Sequence, residues 1–172
     1  DESITHDEFF RYKYDKLYSE KSELRRQVAD FVEAQAGNSE LKKELELLRQ
    51  WNGEMAKDNR SAALVLLSFR PRSNSSKRKT GHERTLAQLR QASADLRKHF
   101  GRIDVEWGRV NRLVRGDKNL PLGGGPDTLR AIYGRPQEDG TLAGVAGDCF
   151  FQFVEWDKDG QLNAWAMNQF GS

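Results

Sequence analysis

Apolar residues recur at helical spacing through the first hundred residues of this chain and lose that spacing after Gly101. This change of period constrains the fold more than any single motif. Thr5 followed by Glu8 has the spacing of a capping box, in which hydroxyl and carboxylate each satisfy an amide of the first turn, so a short helix is expected to about Tyr14. Leu24, Val28, Phe31 and Val32 mark a second helix that Gly37-Asn38 stops. Ser39 is expected to cap a third, striped by Leu41, Leu45, Leu48 and Trp51 and ending near Gly53. A fourth runs from about Asn59 through the apolar block Ala62 to Leu67. Thr80 and Glu83 repeat the capping spacing before a fifth helix carrying Leu86, Leu89, Leu96 and Phe100, which Gly101 ends.

Beyond Gly101 glycine and proline become frequent, and strands are expected instead. Leu120 to Pro126 reads as a loop, because its two prolines lack amide donors and three successive glycines resist regular structure. Thr128 to Tyr133 reads as a short strand. Cys149 to Trp156 is apolar on both alternating faces, so it is expected to be covered on both sides, with Asp157 to Gly160 as the turn into a partner strand, Leu162 to Phe170. The fold class is therefore α+β, a helical segment over 1–101 and a strand-rich segment over 102–172 that ends in a hairpin.

Charge and composition exclude more than they select. The 172 residues carry 28 basic and 26 acidic side chains, a formal charge of +2, which is too small to draw a nucleic acid or an anionic membrane by bulk electrostatics. The longest apolar run, Ala62 to Phe69, falls far short of the roughly 20 residues that span a bilayer. The single Cys149 forms no internal disulfide, and in the middle of an apolar strand it reads as a small packed hydrophobe. His6, His82 and His99 lack ligand spacing, so no zinc site is expected. Asp157, Asp159 and Gly160 lack the remaining positions of a calcium loop, and Gly123 to Gly125 lack the Lys-Ser or Lys-Thr of a phosphate cradle. Arg70, Arg72, Lys77, Arg78, Lys79 and Arg84 form a basic stretch without aromatic residues to stack on bases, so it reads as a solvated loop. Residue chemistry thus yields no catalytic, cofactor-binding or metal-binding residue.

Four stretches, in order, carry a resemblance. They are Ile4 to Asp15; Leu47 to Gly53 with Asp58 to Leu64; Trp107 to Leu113 running through Gly116 to Pro126; and Gly147-Asp148 leading into Val154 to Asp157 and Gln169 to Ser172. Together they resemble the C-terminal part of the nucleophile-bearing chain of the penicillin acylase family, in its branch of acyl-homoserine-lactone acylases. The resemblance implies an αββα N-terminal-nucleophile-hydrolase sandwich, released from a self-cleaving precursor. The nucleophile there is a Ser at a processed N-terminus whose own amine acts as base. Asp1 does not fill that role, and the family's oxyanion-stabilising Asn and calcium-binding acidic residues lie upstream of the matching stretches, so no site residue is carried over.

What the resemblance implies for this segment is scaffold: both halves as parts of one larger domain, in a periplasmic or secreted amidohydrolase. Its partners would be the small chain, the N-terminal part of the large chain and a small-molecule amide, with neither nucleic acid nor membrane. The absence of an initiator Met suggests a start inside a longer precursor. The competing reading is a non-enzymatic binding module that uses the basic loop Arg70 to Arg84, and flanking sequence would separate the two.

Overall fold

The computed structural model describes residues 4–69, 81–147 and 150–168. α1 (His6–Lys13) opens on the expected capping box: Thr5 Oγ1 accepts from the Glu8 amide at 3.3 Å, and Glu8 Oε2 accepts from the Thr5 amide at 3.0 Å. α2 (Glu23–Ala34) is capped by Ser22 and buries Val28 and Phe31. Ser39 does not cap the third helix. Asn38 instead caps a single 3-10 turn, Ser39–Leu41, which hands over to α3 (Lys42–Gln50). α4 (Ala62–Phe69) begins three residues later than Asn59, whose side-chain oxygen accepts from the Ser61 and Ala62 amides at 3.0 Å and so stands outside the helix as its cap. α5 (His82–Phe100) has Gly81 as N-cap without a side-chain bond; Thr80, of the expected Thr80–Glu83 box, lies outside the described residues. Gly101, at φ +76°, ends α5 as expected.

α4 is buried on almost every side because it has no polar face: seven of its eight residues are buried, with Leu67 half-buried. α2, α3 and α5 pack around it, and Phe31, Leu45, Leu48, Leu64, Leu89 and Leu96 fill the centre. Two ion pairs link the start of the third helical stretch to α5: Arg90 with Glu40 at 3.0 Å, and Arg97 with the buried Glu44 at 2.6 Å.

A short helix, α6 (Trp107–Val110), precedes the strands. β1 (Asn111–Arg115), β2 (Lys118–Pro121), β3 (Ile132–Pro136) and β4 (Leu142–Gly147) form one sheet in the order β2-β1-β4-β3. β1 pairs antiparallel with β2 and parallel with β4, and β3 pairs antiparallel with β4 across a bulge at Tyr133/Gly134. Two expectations fail here. Leu120 and Pro121 belong to edge strand β2, where a missing proline amide costs no ladder bond. Thr128 to Ala131 is a turn and not the start of a strand. Thr128 Oγ1 lies 3.0 and 2.8 Å from the Gly125 and Arg130 carbonyl oxygens, which curls the backbone until β3 begins at Ile132.

β5 (Phe150–Trp156) and β6 (Leu162–Asn168) form the expected antiparallel hairpin through a turn that Gly160 closes at φ +76°. It is a separate two-stranded sheet, and the expectation of cover on both faces is wrong for this chain. Phe153 packs on one side against Phe9 and Phe10 of α1, whereas Val154 and Trp156 on the other are 37% and 67% exposed. Cys149, Gln169 and Phe170 lie outside the described residues. Among those residues no helix is long and apolar enough to cross a membrane.

Candidate functional site

The family-like stretches converge on the glycine loop that follows β2. Met55 donates its amide to the Lys16 carbonyl at 2.9 Å, and Tyr18 donates its own to Gly53 at 2.9 Å, so the segment after α1 is zipped to the segment after α3. Trp107 and Gly108 donate to the carbonyls of Asn59 and Lys57 at 2.9 and 2.6 Å. The loop then threads between these strands of backbone: Gly124 donates to the Met55 carbonyl at 2.7 Å and accepts from Trp107 Nε1 at 2.8 Å. The Tyr18 hydroxyl donates to the Pro126 carbonyl, and the Arg130 amide donates to Asp15 at 2.9 Å.

Glycine is required here by space as well as by backbone angle. A Cβ on Gly124, at φ +87°, would stand 2.4 Å from the Arg130 carbonyl oxygen, and one on Gly123 would stand 3.2 Å from that of Met55. Asp127 adopts φ +62°, and its Oδ1 accepts from the Tyr133 hydroxyl at 3.2 Å. Tyr18 is 4% exposed, and burial, followed by the nearby Asp127 carboxylate, pushes its phenol well above the ordinary tyrosine value, so it remains a neutral donor. The junction is a hydrogen-bonded lock between distant parts of the chain. It contains no paired nucleophile and base.

Elsewhere the candidate groups stay apart. His6 lies within 5.0 Å of the Phe153 and Trp165 rings and 3.8 Å from Glu155 Oε2; His82 meets the edge of Phe31, and His99 sits in the last turn of α5. Among the described residues no Ser or Thr hydroxyl bonds to an imidazole, and no cluster of His, Cys, Asp and Glu could hold a metal. The hydroxyls of Ser68 on α4 and Ser93 on α5 are buried without a hydrogen-bond partner, so neither is held by a base. An open groove of about 690 Å³ runs between α2 and α3, floored by Val28, Val32, Leu48 and Trp51 with Arg25 and Arg49 on its rim; it too lacks a nucleophile. Of the basic stretch, Arg70 to Lys79 lie outside the described residues, and Arg84 is half-buried on α5. Tyr18, Trp107 and Gly124 were not singled out by sequence reasoning as a unit. The only available signal was that each falls in or beside a family-like stretch.

An acyl-homoserine lactone acylase, PvdQ, of Pseudomonas fluorescens strain Pf0-1 is 35% identical over 81 residues, which is 45% of this chain and 10% of that protein. The PvdQ of strain Pf-5 is 33% identical over 60 residues, 33% of this chain and 8% of that protein. The matched stretch thus spans about a tenth of the length of these relatives. The sequence model of the penicillin amidase family matches residues 1–172, the whole chain, and with its helical half followed by strands, as in part of an N-terminal-nucleophile-hydrolase domain, the chain belongs to that family.

Proposed function

We propose that these residues are the C-terminal scaffold portion of an amidohydrolase that removes acyl groups from amides, and that they do not supply its nucleophile. The single observation that carries this reading is the family match across residues 1–172, set against a set of described residues in which no hydroxyl is paired with a base. Acyl-homoserine lactones and penicillin- or cephalosporin-type amides are the substrate classes; the PvdQ relatives support the first. The helical and strand-rich halves belong to one larger domain completed by the small chain and the N-terminal part of the large chain, in a periplasmic or secreted enzyme. Their task is mechanical: to hold helices over a sheet and close it with strands. An unassisted Ser or Thr hydroxyl is a weak nucleophile, and oxyanion donors contribute several kcal/mol only when preorganised around the reacting carbonyl.

The test compares two proteins, the purified 172-residue chain and the full-length polypeptide that carries it. Each is assayed with a long-chain acyl-homoserine lactone and a chromogenic phenylacetyl amide. The full-length protein should release amine and the 172-residue chain should not exceed the buffer rate. Turnover by the shorter chain that disappears on Cys149→Ala would place the catalytic apparatus within these residues and sink the reading.

A further inference from the structure

We propose that the groove between α2 and α3 is a binding site for a medium-length alkyl chain that ends in a single carboxylate. The inference stands on the groove alone and not on the acylase reading. At about 690 Å³ the groove falls within the size range of small-molecule sites. Val28 and Val32, one turn apart on α2, meet Leu48 and Trp51 at the end of α3, which makes the floor apolar. The Trp51 indole directs its single polar atom elsewhere, Nε1 donating to the Glu54 carbonyl at 3.2 Å, so its ring offers only carbon to the groove. Such a floor favours a chain of methylenes over a ligand that needs hydrogen bonds along its length.

The cations gather at one end. Arg25 lies over Gly53, where a Cβ would come 2.7 Å from a guanidinium nitrogen, and its Nη1 donates to the Tyr18 carbonyl at 3.3 Å. These contacts hold the guanidinium near Trp51, and its planar fork suits a carboxylate. Lys21, four residues before Arg25, and Arg49, two residues before Trp51, line the groove with it. Among the described residues none of these three makes an ion pair, whereas Arg26 is held by Glu23 and Asp30 at 2.6 and 3.3 Å. Glu20 is the one lining carboxylate at this end, so positive charge prevails there. Seven residues along α2 from Arg25, Val32 stands about 10 Å away, roughly the length of an extended eight-carbon chain. Glu33 lies beside Val32 and lines the same far end. A methyl terminus is tolerated there, and a second carboxylate is repelled.

Photo-crosslinking tests the proposal, with the full-length polypeptide as target and decanoic acid carrying a mid-chain diazirine as probe. Mass spectrometry should place the adducts on residues 23–36 and 42–51, and labelling should saturate. Plain decanoate should compete, while decanedioate and decyltrimethylammonium should each compete about tenfold less well. Arg49→Glu reverses an exposed charge on the rim, and Ala29→Phe fills the groove from an exposed position on α2. Each should lower the labelling of these two segments about tenfold at subsaturating probe, with the melting temperature nearly unchanged. Competition by decyltrimethylammonium as effective as that by decanoate would overturn the proposal, and this arm decides without either variant. Labelling that survives Ala29→Phe, or adducts confined to other parts of the polypeptide, would also overturn it. The position of the adducts is the readout, so neither presence nor absence of amide hydrolysis bears on the outcome.

Discussion

Tyr18 and Gly124 show how single atoms hold distant parts of this chain together. The Tyr18 hydroxyl serves the Pro126 carbonyl in a buried place, so Tyr18→Phe leaves that carbonyl without a donor and should cost about 1 to 3 kcal/mol in denaturant unfolding. The same phenol gives a pH signature. Its proton is held more tightly in the folded state than in the unfolded one, so its contribution is intact below the unfolded value of about 10 and is lost as pH rises above it. Melting temperature followed from pH 9 upward should therefore fall more steeply for the native protein than for Tyr18→Phe; parallel curves would show that the phenol is not the group responsible. Gly124→Ala meets two penalties at once, a left-handed backbone and a methyl group 2.4 Å from the Arg130 carbonyl oxygen. Unfolding should become easier by at least about 1 to 3 kcal/mol, and a loss under about 0.5 kcal/mol would mean that the loop can move aside.

Among the elements, the α3–α5 contact has an electrostatic weak point. Glu44 is buried while Arg97, its partner at 2.6 Å, is half exposed, so removing the arginine strands a carboxylate inside. Arg97→Ala should cost about 2 kcal/mol, whereas Arg90→Ala, whose pair with Glu40 lies in water, should stay within about 0.5 kcal/mol. The hairpin offers a second contrast. Phe153 is its contact with α1, yet cover on one side only limits the loss on Phe153→Ala to about 1 to 2 kcal/mol, below the 3 to 5 kcal/mol typical of a fully enclosed ring. These elements also explain what was legible beforehand. Helix ends were readable where Thr5 and Gly101 act within one turn of themselves. β1, β2 and β4 were not, since NRLVR, KNLP and LAGVAG lack strong alternation and become strands only by pairing; β1 and β4 meet in parallel about thirty residues apart. Periodicity revealed two apolar faces on β5 but carries no information about whether a neighbour covers the second. The loop junction was legible only as resemblance, because most of its bonds run between backbone groups that any sequence possesses, and nothing local marks Tyr18 and Trp107 as donors to a distant loop.

Among the described residues, the helical and strand-rich halves meet through α6, the glycine loop and the packing of α1 on β5. The bond from Tyr18 to Pro126 closes a span of 108 residues, and Trp107 with Arg130 adds further long-range closures around it. That topology has a kinetic meaning. Helices such as α4 and α5, adjacent in sequence, can associate early, whereas a lock between residues 108 positions apart must wait until the loop entropy of everything between has been lost. Tyr18→Phe and Trp107→Phe should then leave the refolding rate nearly unchanged and speed unfolding by the full stability loss, readable as a shift in only one arm of a chevron plot. During synthesis the consequence is an order of events: α1 and the segment after it emerge before α2 to α5 yet stay unfastened, and open to proteases, until residue 126 has left the ribosome.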